Sequence, residues 1–89
     1  MPRVSFTENI QRHVACPPTD VDGGTVGDVL AAVFEVYPRA RSYVLDDQGA
    51  LRQHMSVFVA GRMIRDRTGL SDPVPREAEV HVMQALSGG

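Results

Sequence analysis

The sequence ends on QALSGG (84–89), a stretch whose residue types allow chemistry at the last carboxyl group. Gly88 and Gly89 carry no side chains, so they leave the carbonyl carbon of Gly89 open to attack from either face. A terminal carboxylate, with a pKa of about 3.3–3.7, is a stable anion at neutral pH and reacts only after activation. The alternative interpretation is ordinary terminal disorder, and the rest of the sequence has to decide between the two.

The other candidates for chemistry are weaker. Cys16 is the single cysteine, which excludes an internal disulfide and suits a reducing cytosol. No neighbouring cation or helix start would lower its pKa, so we interpret it as a small buried hydrophobic residue. His13, His54 and His81 lie far apart, without the i, i+4 spacing or cysteine partners of a metal site. We expect surface histidines and a cytoplasmic protein.

Charge indicates which partners to expect. The formal net charge is −2, and all nine basic residues are arginine, with no lysine. Arg62, Arg65 and Arg67 form a local basic patch, but the acidic balance and the lack of interleaved aromatic residues argue against nucleic acid. Docking to a protein partner or plain solvation is the favoured use of this patch.

Several function classes are disfavoured. No apolar run approaches the roughly 20 residues of a membrane span, and the first ten residues do not have the pattern of a secretory signal. Asp46 and Asp47 are adjacent and would point apart, which indicates a solvated turn and not a catalytic carboxylate pair. Because no nucleophile–base set, phosphate loop or metal constellation is present, the sequence does not predict an enzyme.

Alternation of apolar and polar residues predicts the strands that would position these groups. The first is RVSFT (3–7), and HMSVFVAGRMI (54–64) contains a strand, a turn at Ala60–Gly61 and a short strand holding Met63 and Ile64. The last is EVHVMQAL (79–86), with His81 and Met83 facing outward. Residues 8–24 contain strand-like pieces around Val14 and Val21, beside an edge indicated by Pro17–Pro18.

One helix is predicted at TVGDVLAAVFEVYP (25–38). Thr25 is a good N-cap, Asp28 completes a capping-box-like pair, and Pro38 ends the helix. Residues 39–53 read as a connection with a turn at 46–49, and residues 66–78 as a turn-rich segment with one helical turn near Leu70. The order predicts an α+β fold, a mixed sheet of four to five strands packed on one main helix.

These pieces, in this order, resemble the ThiS/MoaD family of ubiquitin-like sulfur carrier proteins. The matching stretches are RVSF, TVGDVLAAVFEVYP, VLDDQGALRQHMSVFVAGRMIRD and EVHVMQALSGG. The sequence departs from the family at Ala60, where Asn is frequent, and at Gln84, where proline is frequent. The resemblance implies a β-grasp domain at 1–86 and a flexible Gly-Gly tail at 87–89.

The resemblance also implies a route for the chemistry. A partner adenylyltransferase of the ubiquitin-activating type would join Gly89 to AMP from ATP, and a sulfur nucleophile would convert it to a thiocarboxylate for a sulfur-acceptor enzyme. Gly88 would let the thin tail enter the partner's channel. No cofactor would be bound permanently, because ATP is used by the activating partner. Nucleic acid and membranes are not expected partners.

Docking would need a surface as well as a tail. We expect Phe58, His81 and Met83 on the sheet face opposite the helix, with Leu86 filling a pocket on the partner and Arg65 contributing a cation. Isolated exposed apolar residues are, however, normal on any protein surface.

Two alternatives to the sulfur carrier remain open. One is a ubiquitin-like modifier conjugated through Gly89 to lysines of other proteins, and the other is a binding module with an inert tail. The absence of lysine rules out only chains built through its own side chains.

Overall fold

Five short strands form one mixed sheet in the computed structural model, which describes residues 1–84. The strands are β1 (Arg3–Phe6), β2 (Thr19–Asp20), β3 (Met55–Val59), β4 (Arg62–Met63) and β5 (Glu79–Gln84). Their order across the sheet is β2-β1-β5-β3-β4, with β1 and β5 parallel and the other neighbours antiparallel. The last strand is therefore central and pairs on both sides.

Three helices accompany the sheet: α1 (Glu8–His13), α2 (Val26–Val36) and α3 (Pro38–Val44). The longest, α2, is the predicted one. Thr25 lies in extended backbone and its Oγ1 accepts a hydrogen bond from the backbone N–H of Asp28 at 3.1 Å, which confirms the predicted cap. The buried face of α2 consists of Val26, Val29, Leu30, Val33 and Phe34.

The core lies between the helices and one face of the sheet. Inward-facing strand residues meet the buried face of α2, and Val4, Met55, Val57, Val80 and Val82 have no exposed surface. A one-residue shift of any of these strands would turn the apolar row to solvent, so packing fixes the register. The two-layer α+β architecture predicted from the sequence is confirmed.

Two of the three helices were not predicted. Residues 8–13 form α1, although this segment reads as strand-like or irregular, and of its residues Ile10 alone is buried. Residues 38–44 form α3 within the segment that the sequence indicates to be a connection. Proline lacks the N–H that a helix start leaves unpaired, and its φ suits the first turn, so Pro38 ends α2 and also begins α3.

The turns match the prediction at two sites. Ala60 and Gly61 have φ of 50° and 82°, both positive, as a two-residue hairpin of the type I′ class requires. The helical turn expected near Leu70 is present as a single turn, because the backbone N–H of Leu70 donates to the carbonyl oxygen of Asp66 at 3.1 Å. Leu70 itself is buried with a left-handed φ of 54°, which ends the turn. β2 follows Pro17–Pro18 and lies at the edge of the sheet, as expected.

The segment 65–72 is held by two carboxylates. Asp66 accepts the Ser71 hydroxyl at 2.6 Å and the backbone N–H groups of Thr68, Gly69 and Ser71 at 2.8–3.2 Å. The Ser71 hydroxyl, followed by the N–H of Gly69, lowers the pKa of Asp66 to about 2. Asp72 accepts the backbone N–H groups of Asp66 and Arg65, which lowers its pKa as well.

Arg67 joins this segment to the start of β3. Its guanidinium donates to the carbonyl oxygens of Arg52 and Met55, both at 2.8 Å, and more distantly to that of Gln53 at 3.4 Å. The predicted basic patch of three arginines is therefore reduced to Arg62 and Arg65, because Arg67 is occupied by backbone acceptors.

We predict that Asp66→Asn lowers stability at neutral pH and flattens its acid dependence. The pKa of Asp66 is below the value of about 3.9 expected for an unfolded chain, so its contribution is present above that value and is lost as the pH falls towards about 2. Thermal unfolding followed by circular dichroism between about pH 5 and pH 2 should show a smaller fall in Tm for the variant. Parallel curves for both proteins would contradict this assignment.

We predict that Arg67→Met destabilises the fold by about 2 kcal/mol, because two partly buried carbonyl acceptors, those of Arg52 and Met55, lose a charged donor. Arg65→Met is the matched control, since the Arg65 side chain is exposed and makes no hydrogen bond to residues 1–84. That control should change the free energy of unfolding by less than about 0.5 kcal/mol. Urea denaturation measures both, and equal losses would show that Arg67 has no special structural role.

Candidate functional site

The outer sheet face, which points away from α2, carries the residues that the sequence proposes for docking. Alternation along β3 buries Met55, Val57 and Val59 and leaves Phe58 outward and half-buried. Alternation along β5 likewise turns His81 outward. These orientations agree with the sequence-based prediction.

Strand register brings the outward side chains together. Phe58 lies directly opposite His81 on β5 and directly opposite Met63 on β4, and His81 in turn lies opposite Ser5 on β1. Met83 stands in the next row, opposite Ser56. Directly opposed residues share a face and lie about 4.5–5.5 Å apart at Cβ. We call Phe58, Met63, His81 and Met83 the outer patch.

The outer patch is apolar and accessible. Met63 is 56% exposed and Met83 41% exposed, whereas Phe58 and His81 are half-buried between them. Flexible methionines around a ring form a surface that can adapt to a partner. Such clustering, unlike scattered exposed apolar residues, is typical of an interaction surface.

Met63 is a patch member that the sequence-based site proposal omitted. The sequence contained the information needed to include it. A two-residue turn at Ala60–Gly61 pairs Val59 with Arg62, and the next pair out is Phe58 with Met63, so these two side chains lie on the same face.

Charged residues lie toward the opposite end of the sheet from Gln84. Arg3 Nε donates to Asp20 Oδ1 at 3.0 Å, which raises the pKa of Arg3 and lowers that of Asp20. His81 Nε2 lies 3.3 Å from Glu79 Oε2, an exposed pair that contributes little to stability. The outer face therefore changes from charged to apolar along β5, from Glu79 toward Met83.

A small pocket of about 180 Å³ opens on this face between β1 and β5. Ser5, Thr7, His81 and Met83 contribute to its lining. The buried Thr7 Oγ1 has no hydrogen-bond partner among residues 1–84, and the same holds for Gln84 Oε1 at the end of β5. Thr7 was not a sequence-predicted site residue, because its surroundings arise only when β1 and β5 meet.

Arg65 lies beside the outer patch and not within it. With Arg62, Met63 and Pro73 it lines a groove of about 540 Å³ between β4 and the following loop. Its backbone N–H is fixed by Asp72 Oδ2 at 3.0 Å, and its side chain is exposed. Arg65 is thus placed at the rim, where a cation can contact a partner that covers the patch.

The reactive residues proposed from the sequence, Gly88 and Gly89, lie outside the described residues, as does Leu86. What the structure places is the strand that leads to them. β5 runs as far as Gln84, paired with Met55 of β3, directly after the exposed Met83. The described part of β5 therefore ends beside the apolar end of the outer patch.

The remaining candidates do not come together. Cys16 is fully buried, as predicted, and burial raises the pKa of its thiol. Asp46 Oδ1 accepts the backbone N–H groups of Gln48 and Ala50 at 2.9 and 3.0 Å, so it closes its own turn. Within residues 1–84 no group of three or more potential ligands could hold a metal. None of the helices in that range is long and apolar enough to span a bilayer.

Comparison with known proteins gives structural matches alone. No protein-family model and no curated protein matches the sequence. SAMP1 from Haloferax volcanii superposes with a TM-score of 0.78 at 28% identity, covering 99% of this chain and 98% of that one. A chain of the Amycolatopsis orientalis BexX/CysO complex gives 0.84 at 19% identity and full coverage of both chains. Urm1 from Trypanosoma brucei gives 0.69 at 20% identity, covering 99% of this chain and 94% of that one.

Small archaeal modifier protein 1 from Methanosarcina acetivorans matches as well, with a TM-score of 0.80 at 22% identity, covering 99% of this chain and 95% of that one. These neighbours are ubiquitin-like small modifier and sulfur carrier proteins. The matches cover nearly the whole chain, and the chain has one mixed sheet and one main helix, so the likeness extends over the complete architecture. The chain has the ubiquitin-like β-grasp fold of the small modifier and sulfur carrier proteins.

Proposed function

We propose that this protein carries sulfur as a thiocarboxylate on Gly89, for use in the biosynthesis of a cofactor or another metabolite. One observation carries the proposal: β5, which carries His81 and Met83 of the outer patch, is the strand whose sequence continues to Gly88–Gly89. A surface for holding a partner and a terminus for reacting with it are thereby close together along the chain. The similarity in fold to sulfur carriers supports the same conclusion.

The chemistry starts from an unreactive carboxylate. A partner adenylyltransferase of the ubiquitin-activating type forms a bond between the Gly89 carboxylate oxygen and the α-phosphorus of ATP, and pyrophosphate leaves. Hydrosulfide, as the sulfur nucleophile, then attacks the carbonyl carbon, AMP leaves with the electron pair of the broken C–O bond, the sulfur loses its proton to water, and a thiocarboxylate remains. A sulfur-acceptor enzyme receives that sulfur. In this scheme the protein is a substrate of its partners and not an enzyme.

The residues of this chain contribute access and docking. Gly88 and Gly89 are thin enough to enter a narrow channel and leave both faces of the carbonyl open. Phe58, Met63 and Met83 supply the apolar contact area, which typically dominates the binding energy of an interface. Arg65 at the rim adds a charge contact, and rim charges mainly affect the association rate. We place this chemistry in the cytoplasm, where ATP is present and the Cys16 thiol stays reduced.

A second candidate function is that of a protein modifier. A small archaeal modifier protein is among the structural neighbours, at 26% identity, which favours this alternative specifically. Both functions share the activation of Gly89 and differ in the nucleophile that follows. A sulfur donor gives a thiocarboxylate, and a lysine amine of another protein gives an isopeptide bond.

Intact-mass analysis tests the proposal. Residues 1–89 are co-expressed with the adenylyltransferase and sulfurtransferase of the source organism and purified without reductant. We expect a species heavier by the difference between one sulfur and one oxygen atom, absent from a variant that lacks Gly88–Gly89. Covalent ladders on other proteins would favour the modifier, and an unchanged mass with no ladders would contradict both. Full pathway activity of the shortened variant would favour a binding module.

Variants of the outer patch test docking separately. We predict that Met63→Asp and Met83→Asp each lower the kcat/KM of activation at least tenfold, since an interface anchor typically contributes about 2 kcal/mol. Val36→Asp is the matched control, because Val36 is exposed to the same 56% as Met63 but lies on α2. Pyrophosphate release measures the rate, and circular dichroism checks the fold. A control as impaired as the patch variants would show that the partner does not use this face.

A further inference from the structure

The chain offers no side-chain amine that its own activated carboxyl group could convert to a stable amide. We propose that this composition, together with the sheet topology, keeps activated Gly89 available for a nucleophile from outside the chain. The inference rests on the proposed function, because it concerns the fate of the same activated carbonyl.

Side-chain amines are missing altogether. Residues 1–89 contain no lysine, and the nine basic residues are all arginine. An arginine guanidinium stays protonated in proteins and has no lone pair to offer, whereas a lysine amine attacks activated acyl groups once deprotonated. The surface therefore keeps its positive charges without presenting an acceptor for acylation.

The α-amine of Met1 is an amine, but it lies at the wrong end of the sheet. It is 3.4 Å from Glu77 Oε1, and β1 runs parallel to β5 with Arg3 opposite Glu79. The five residue steps from Glu79 to Gln84 span about 17 Å, and Met1 lies beside Glu77, two residues beyond that end, so it is more than about 20 Å from Gln84. Five residues follow Gln84 and reach at most about 18 Å when fully extended. A tail that must first turn back therefore does not reach its own Met1.

The thiol and the imidazoles add no stable acceptor. Cys16 has no exposed surface, so an activated acyl group cannot approach its sulfur without local unfolding. An acyl group transferred to the imidazole of His13, His54 or His81 would return to the carboxylate by hydrolysis, because acyl imidazoles are unstable in water. No covalent self-product remains in either case.

The avoided reaction is ordinary amide formation. An amine nitrogen attacks the Gly89 carbonyl carbon, a C–N bond forms and the bond to the leaving group breaks. The leaving group, AMP or a thiolate, departs with the electron pair, and the amine proton passes to water. The product would be one water lighter than the free carboxylic acid, with the tail closed onto the domain and lost to sulfur transfer.

A chemically prepared thioester tests this without any activating enzyme. Residues 1–89 are expressed in front of a thiol-cleavable intein, so that an aliphatic thiol releases the Gly89 thioester. Lysine is then introduced at the tail end of the sheet by Arg12→Lys, in the exposed last turn of α1, or by Gln53→Lys, exposed just before β3. The matched control is Arg76→Lys, which makes the same replacement at an exposed position before the opposite end of β5.

At high dilution and mildly alkaline pH, we expect the tail-end variants to form the product that is one water lighter at least tenfold faster than wild type or Arg76→Lys. Proteolysis with mass spectrometry locates the new amide at the introduced lysine. Wild type forming the product as fast as Arg12→Lys would overturn the inference, and so would equal rates for Arg76→Lys and Arg12→Lys. Absence of the product from every variant would also overturn it, because an introduced lysine would then not attack the activated Gly89.

Two controls accompany this experiment. Hydrolysis and hydroxylamine capture of the wild-type thioester confirm that the acyl group is reactive. A failure of sulfur transfer in cells would appear in the co-expression experiment and leave these rates unchanged.

Discussion

The pairing of β5 on both of its sides is the interaction on which the rest of the structure depends. β5 pairs with β1 in parallel and with β3 in antiparallel orientation, so the positions of both neighbouring strands depend on β5. Its inward residues Val80 and Val82 complete the core, and its outward residues His81 and Met83 belong to the outer patch. A slip of one residue would exchange these two sets, expose the valines and bury the histidine. The packing of the core therefore also fixes the arrangement of the outer patch.

The parallel pairing of β1 with β5 has a topological consequence. Parallel neighbours need a long crossover, and here the remaining elements of the described chain lie between the two strands in sequence. The helices can then cover one face of the sheet and leave the other to partners. The same pairing puts Met1 and Gln84 at opposite ends of the sheet, which separates the α-amine from the tail.

Sequence patterns predicted the orientation of a residue correctly wherever that orientation is determined by the helix or strand to which the residue belongs. Alternation predicted the faces of β3 and β5, so Phe58, His81 and Met83 were placed correctly, and the cap at Thr25 identified α2. The short helices were missed because a helix of six or seven residues is unstable alone and forms only through tertiary packing. Ile10 is fully buried, but a single buried apolar residue in so short a segment does not distinguish a helix from a strand by its spacing. Thr7 and Arg67 depend on contacts between distant segments, and no local pattern encodes those contacts.

The distinction between carrier and modifier is not made by the reactive end of this chain. Gly88 and Gly89 offer the same activated carbonyl to sulfur and to an amine, so the product depends on which nucleophile a partner brings. In the proposed function the outer patch makes that choice, because Met63 and Met83 are flexible side chains that can repack against different partners, while Phe58 is paired with both Met63 and His81. The chain itself supplies no side-chain amine, its α-amine at Met1 lies at the opposite end of the sheet from Gln84, and the Cys16 thiol is buried. If the chain does not acylate itself, as proposed, then specificity has to come from the surface that a partner contacts, and the outer patch, more than the glycines, would distinguish one pathway from another.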